Sequence, residues 1–415
     1  MIRGTMDSLF YGIDLGISHT VSSYAVNPDG KPETVSLVMG VEDYLIPTSA
    51  AISNTEKKWL FGRDAIRACE AGQAAEVRDL LKSAVHDKDV TISGGRFHAR
   101  DILSEFLRYV MELNGVPLLP AKIGCVAVTV EDNSKEITES ITISLTKLGI
   151  PSDRIIVSDH LESFCYYSLS QSIPLKTGSI ALFDASGLMV RSFILTHDDD
   201  QKPSPVKILE TDNEMHGVKR DAEFMSLCKK ILDDTDVRTV YLVGDGFDGG
   251  WLDLSREYLL KGRRVFIGKN LYSKGICLDG MVSKGRSWDY SYIGDHDLKF
   301  TLSVKVNDVD GQRYLKLLSS GTSSYSSRES IDVIISGSPE ISFYIQKSGQ
   351  RSAVEQNVKL RGLGGRDNII SRLSMTAIPT SDRTCIVKIV DHGFGEISPG
   401  TGREWNIEVS SPSEE

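Results

Sequence analysis

The chain has 415 residues, of which 40% are hydrophobic and 25% charged, the make-up of an ordinary globular protein long enough for two or three domains. A net charge of −10 with no basic run disfavours nucleic acid as a partner, and no apolar run is long enough to span a bilayer. Six scattered cysteines (Cys69, Cys125, Cys165, Cys228, Cys277, Cys385) form no CxxC pair, which argues against a zinc site or disulfide framework and for a reducing, cytoplasmic location.

In chain order, the first eight residues carry no signal-peptide h-region and are expected to be disordered or vector-derived, Met1–Thr5 reading as a scar or as a stretch ahead of an alternative start at Met6. Residues 9 to about 61 read as a strand meander: Leu9–Leu15, the alternating Val21–Val26, and Thr34–Met39 after the turn Asn27-Pro28-Asp29-Gly30. A short helix is expected at Ala65–Ala71. The stripe Ile102, Leu103, Phe106, Leu107, Val110 and Leu113 predicts an amphipathic helix over 99–113. Gly124–Val130 reads as a buried strand, and Ile137, Ile141, Leu145 and Leu148 mark a helix stopped by Gly149 and Pro151. Strand Arg154–Ser158 and helix Leu161–Gln171 follow. Segments 179–184 and 189–196 read as a hairpin, 219–232 as a helix, 237–243 as a strand, 251–261 as a helix and Arg264–Ile267 as a strand. The acidic run Asp198, Asp199, Asp200 reads as a solvated loop. From about 290 the texture turns to Ser, Gly and alternating segments (Phe300–Val306, Ile331–Ile335, Ile341–Gln346, Val358–Leu360, Cys385–Val390), predicting a sandwich-like all-β domain over 290–415, its last residues from Ser410 disordered.

Three segments repeat one device, an apolar strand running into a turn of Asp, Gly or small hydroxyl residues: Gly12–Thr20, Ala181–Gly187 and Tyr241–Gly246. Glycine lets the backbone approach an anion, and a strand-end Asp can hold a hydrated divalent cation. With their surroundings they resemble the DnaK-type chaperones of the actin/hexokinase/DnaK ATPase superfamily. Gly12–Thr20 is similar to that family's first phosphate loop, G-I-D-L-G-T-T. Leu45-Ile46-Pro47-Thr48 and Phe61-Gly62-Arg63-Asp64-Ala65 resemble its I-P-S and G-x-x-A elements. Val126–Val130 with Arg154-Ile155-Ile156 resembles the A-V-I-T-V-P strand and the R-I-I-N-E-P connection, Ser158-Asp159-His160 standing for Asn-Glu-Pro. Leu182–Gly187 resembles the second phosphate loop, L-x-F-D-L-G-G-G-T, and Val240–Asp245 the adenosine-side V-x-L-V-G-G turn. The likeness covers about 9–282. Beyond it, Ala377-Ile378-Pro379 with Cys385–Val390, and the turn Thr401–Glu404, faintly resemble the last strands of the chaperones' peptide-binding β-sandwich.

The resemblance implies an actin-like ATPase fold, with one lobe over 9–170 and a duplicated, reduced lobe over 171–289. It implies ATP or ADP with Mg²⁺ in the cleft between them. Asp14 and Asp184 would hold the metal's water shell. Gly12, Gly16, Ser18, Gly187, Gly244 and Asp245 would line the nucleotide. Lys82 matches the loop lysine that contacts the γ-phosphate, and Asp159 takes the place of the family's glutamate. The departures point toward a degenerate site. Ile17 replaces a Thr, Leu188 and Met189 replace small residues, Asp245 replaces a Gly, and about 40 residues stand where the family inserts an adenine-pocket subdomain. Slow or absent hydrolysis is therefore expected, with a protein or peptide partner on the β-domain; the alternative is a scaffold that binds no nucleotide. An active sugar or acid kinase fits less well, because no substrate-binding insert is evident. His19, His160 and His216 show no metal-ligand spacing and read as polar or packing residues. Ser186 lacks the G-x-S-x-G frame of a hydrolase, and Trp251, Trp288 and Trp405 read as core or interface anchors.

Overall fold

The computed structural model describes residues 8–215, 219–233, 235–308, 311–363, 369–396 and 398–412. Residues 1–7 of the segment expected to be disordered or vector-derived, His216 and the last three residues lie outside the described residues. Helix makes up about 25% and strand about 42%, and the chain divides into two compact units, Met1–Tyr292 and Ile293–Glu415.

The first unit begins with β1 (Leu9–Leu15), β2 (His19–Val26), β3 (Glu33–Thr34), β4 (Ile46–Pro47), β5 (Ala50–Ser53) and β6 (Trp59–Phe61). Then come α1 (Gly62–Glu70), β7 (Ala74–Val77), α2 (Leu80–Val85), β8 (Asp89–Ile92), β9 (Gly95–His98) and α3 (Ala99–Glu112). β10 (Ile123–Val130), α4 (Lys135–Lys147), β11 (Ile155–Asp159), α5 (His160–Leu169) and α6 (Ile173–Lys176) complete the first half. The second half runs β12 (Ser179–Ser186), β13 (Met189–His197), β14 (Ser204–Glu214), α7 (Arg220–Leu232) and β15 (Val237–Val243). α8 (Asp253–Leu259), β16 (Arg264–Ile267), α9 (Leu271–Val282) and β17 (Tyr290–Ser291) close it.

Two sheets carry this unit, and they share one pattern. The first runs β11-β10-β1-β2-β3, the second β16-β15-β12-β13-β14-β17. In each, three parallel strands meet an antiparallel hairpin, β1–β2 in one and β12–β13 in the other. Side-chain alternation assigns each sheet two buried faces. Tyr11, Ile13 and Leu15 of β1 pack with α3 and α4, while Phe10 with Cys125 and Ala127 packs with Ile276, Cys277 and Met281 of α9. Phe183 and Ala185 of β12 pack with α7 and α8, while Ile180 and Leu182 pack with Phe164 and Leu169 of α5. α5 and α9 therefore lie back to back between the sheets. This burial explains why α9 carries no polar stripe and leaves no amphipathic signal in the sequence.

The expected strand Thr34–Met39 is shorter, because pairing stops at Thr34. The Ser36 hydroxyl donates to the carbonyls of Val38 and Val41 at 2.7 and 2.5 Å and folds the chain into a turn. Among the described residues every cysteine is a free thiol.

The second unit is antiparallel β throughout its described residues. β18 (Phe300–Asp308), β19 (Gly311–Leu318), β20 (Glu329–Gly337), β21 (Glu340–Lys347), β22 (Val354–Lys359), β23 (Ile369–Pro379), β24 (Thr384–Phe394), β25 (Ser398–Pro399) and β26 (Glu404–Ser410) form two sheets, β19-β18-β21-β22 and β20-β23-β24-β25, with β26 also on β24. They enclose one core that includes Phe300, Leu302, Phe343, Leu373, Met375 and Val387. β22 begins at Val354, earlier than the expected Val358–Leu360. Ser410 belongs to β26, where it pairs with Thr384, rather than to a frayed tail.

Candidate functional site: a carboxylate cleft closed by its own side chains

Ligands of open α/β sheets gather outside the carboxyl ends of the strands. There β1 presents Asp14 and β12 presents Asp184, at matching positions of the two sheets: Asp14 pairs with Thr129 of β10, and Asp184 with Val243 of β15. Both line a cavity of about 270 Å³ together with Gly16, Ser18, Gly244 and Asp245. The structure thus brings six of the sequence-derived candidates into one cleft.

The other four lie elsewhere. Gly12 packs β1 onto α9; a Cβ there would come within 2.2 Å of the Ser273 carbonyl oxygen. Lys82 is exposed on α2 and is not among the cavity-lining residues. Asp159 caps α5, accepting from the Glu162 amide at 3.0 Å, which accounts for a carboxylate at that spot by helix capping alone. Gly187 sits at the tip of the β12–β13 hairpin with φ +59°, and its amide points at the Asp245 carboxylate across a long 3.4 Å.

Side chains the sequence reading passed over dominate the geometry. His160, the first residue of α5, sets Nε2 2.9 Å from Asp14 Oδ1. Its ring stacks on Tyr272 of α9 with centroids 3.7 Å apart and planes 9° from parallel. The Tyr272 hydroxyl donates to Asp184 Oδ2 at 2.6 Å. A continuous chain, carboxylate–imidazole–phenol–carboxylate, thereby crosses from one sheet to the other.

Burial, the largest single influence on His160, lowers its pKa, but the charge and hydrogen bond of Asp14 and the charge of Asp184 outweigh it, so the shift is upward. Burial raises the pKa of Asp184 against the opposing pull of His160, and drives that of Tyr272 well up. His160 Nδ1 is buried with no hydrogen-bond partner among the described residues.

The loops around the cleft are likewise internally satisfied. The Gly16 amide donates to His19 O at 3.0 Å, and the Gly16 carbonyl accepts from the Thr48 hydroxyl at 2.8 Å. Arg220 donates to the carbonyls of Gly187 and Gly246 at 2.9 and 2.5 Å. Arg191 pairs with Glu131 at 2.8 Å, and Lys269 with Asp248 at 2.6 Å. Gly244 has φ +95°, and a Cβ there would meet the Ala185 carbonyl oxygen at 2.2 Å, so the turn beside Asp184 requires glycine.

The two carboxylates that the resemblance assigns to the metal's water shell are engaged by protein side chains. Among the described residues no group of three or more His, Cys, Asp or Glu is arranged to hold a metal. The Gly16 amide is taken up within its own loop, and the Gly187 amide faces Asp245. The lining carries four carboxylates (Asp14, Glu131, Asp184, Asp245), of which Glu131 is paired with Arg191, together with His19, His160 and a Lys269 bound to Asp248. Only the strand-end Asp pattern and the unusual Ser158-Asp159-His160 hinted at the site in sequence; for Tyr272 no local signal exists.

A second concavity, about 660 Å³, opens in the C-terminal unit. Its lining mixes Val304, Val306, Leu315, Ile335 and Ile341 with Lys305, Arg313, Asp332 and Glu340, and the edge strands β19 and β20 border it. No helix among the described residues is long and apolar enough to cross a membrane.

Two family models match. One, described as the C-terminal model of the family of unknown function DUF5716, spans residues 31–295; the other, described as the domain of unknown function DUF8552, spans residues 297–411. No curated protein matches the chain.

Proposed function

The chain belongs to the DUF5716 family, and we propose that this member is a divergent DnaK-like branch of the actin/hexokinase/DnaK superfamily that works as a non-catalytic interaction module. Its cleft holds the two halves of the N-terminal unit together instead of turning over ATP, and its β-unit presents the surface for a protein or peptide partner. The likeness to that superfamily rests on the two sheets of matching strand order with an Asp at the same end of each.

The observation that carries the loss of catalysis is the engagement of Asp14 by His160 and of Asp184 by Tyr272. Phosphoryl transfer needs free metal ligands and positioned donors, and here each strand-end carboxylate already holds a protein partner. Support for a partner on the β-unit comes from its concavity bordered by the edge strands β19 and β20, where Val304, Val306, Leu315, Ile335 and Ile341 alternate with Lys305, Arg313, Asp332 and Glu340, because a sheet edge can accept an extended chain.

Calorimetry with ATP and ADP, each with and without Mg²⁺, tests the reading. No heat at about 5 mM ligand, a free-energy scale of about 3 kcal/mol or less, is expected. Saturable micromolar binding reduced by Asp14→Ala and Asp184→Ala would replace this reading with that of a nucleotide-dependent chaperone-like protein. In that second reading Gly16, Ser18 and Gly244, which do line the cavity, would face the ligand.

A further inference from the structure

We propose that His160 and Tyr272 stand in for a divalent cation, forming a metal-free clamp that ties Asp14 of the first sheet to Asp184 of the second. Two carboxylates directed into one cavity repel each other and are costly to leave together without a counter-charge or donor. A hydrated divalent ion is one solution, because it bridges carboxylates through its waters. In this chain each carboxylate instead has its own protein partner: imidazole Nε2 at 2.9 Å for Asp14, phenol oxygen at 2.6 Å for Asp184. The two partners are pressed face to face at 3.7 Å, so the link is continuous.

The clamp's residues come from four separate elements. Asp14 lies one residue before the end of β1, His160 opens α5, Tyr272 is the second residue of α9 and Asp184 lies two residues before the end of β12. α5 and α9 are the two helices buried between the sheets. Shifting one sheet relative to the other would therefore break either the stack or one of the hydrogen bonds. The surroundings also leave a cation little to bind. Arg191 lies opposite Asp184 in the β12–β13 register and holds Glu131, while Asp245 accepts from the Gly187 amide.

Mn²⁺ titration of the full chain, read by the loss of the free-ion electron paramagnetic resonance signal, tests the clamp. The wild-type chain is expected to leave the signal unchanged at millimolar Mn²⁺. The double substitution His160→Ala with Tyr272→Phe uncovers both carboxylates and is expected to raise Mn²⁺ affinity at least about tenfold, with Asp14→Asn added to it removing the gain. Tyr272→Phe alone keeps the ring stack and frees only Asp184, so it reports on a chain close to wild type if the double variant fails to fold; a smaller gain is expected. Wild-type binding of Mn²⁺ that Asp14→Asn abolishes overturns the proposal. So do folded variants with no gain in affinity. Nucleotide heat without Mn²⁺ binding would sink the non-catalytic reading above while leaving the clamp intact.

Discussion

At the scale of single residues, a charged group can be buried only when its surroundings satisfy it, and Asp391 in β24 shows how completely that can happen. It is 3% exposed. Its carboxylate accepts from the Gly393 and Thr401 amides at 3.0 and 2.8 Å, from the Thr401 hydroxyl at 2.7 Å, and from the Ser371 hydroxyl. Burial by itself would raise its pKa, but the hydrogen bonds prevail and hold it down at about 2. A carboxylate whose folded pKa lies below its unfolded value stabilises the fold above the unfolded value, near pH 4. That contribution, about 2 kcal/mol, is lost as pH falls through about 2. Acid titration of the β-unit's unfolding should therefore show a loss of this size between about pH 4 and pH 2. Asp391→Asn should flatten that limb and lower stability at pH 7 by about 1–3 kcal/mol, because the amide's NH₂ cannot accept from the same donors. An unchanged acid limb in the variant would show that the titrating group lies elsewhere. The sequence did mark the turn Thr401–Glu404 but not the carboxylate it folds around, since Asp391 and Thr401 meet only across a strand connection. His160 is the same lesson in the cleft: its spacing to other histidines was the wrong question, because its partners are an aspartate and a tyrosine from distant strands and helices.

At the scale of elements, α9 is the piece most tightly constrained by close approach. Gly275 sits where an added Cβ would lie 1.9 Å from the Ser163 carbonyl oxygen of α5. On the other side, Gly12 of β1 leaves room for Ser273 and Cys277. Helix propensity favours alanine over glycine by about 1 kcal/mol, whereas a backbone oxygen at that distance forces the helices apart and costs more than propensity returns. Gly275→Ala should therefore lower the unfolding midpoint in urea or fail to give folded protein; a stabilised variant would show that the α5–α9 contact is slack. The strands β1, β2, β10, β12 and β15, and the helices α3, α4 and α7, were legible because each is an apolar or alternating run of strand length or carries a single apolar stripe. α9 was not, since a helix covered on all sides by β1, β10 and α5 has no polar face to set its period. β14, β19, β23 and β26 were not read. Polar residues interrupt β14 and β19, which only pairing with a neighbour defines as strands, whereas β23 and β26 do carry an alternation, at Leu373, Met375 and Ala377 and at Trp405, Ile407 and Val409.

At the scale of the whole molecule, two units with separate cores should behave as separate folding units. A fragment spanning 293–415 should unfold cooperatively by itself, and circular dichroism of that fragment showing no transition would count against an independent β-unit. A ligand bound to the native state raises stability by RT ln(1 + [L]/Kd). If the cleft binds no nucleotide, 5 mM Mg-ATP should shift neither unfolding transition by more than about 1 °C, whereas a dissociation constant of 50 μM would add about 2.7 kcal/mol. Scanning calorimetry of the full chain distinguishes these outcomes. Partner capture by the β-unit should then also be the same with and without Mg-ATP.

The sequence by itself determined the local elements and the change of texture near residue 290. It also determined that two strands end in aspartates, since alternation, stripes and turn residues are properties of neighbours along the chain. Only the tertiary structure decided what those aspartates face. Asp14 and His160 are 146 positions apart, Asp184 and Tyr272 88. Whether a strand-end carboxylate meets water, a ligand or another side chain depends on how two buried helices are packed between two sheets. That packing is set by the summed burial of many residues, and no short motif encodes it.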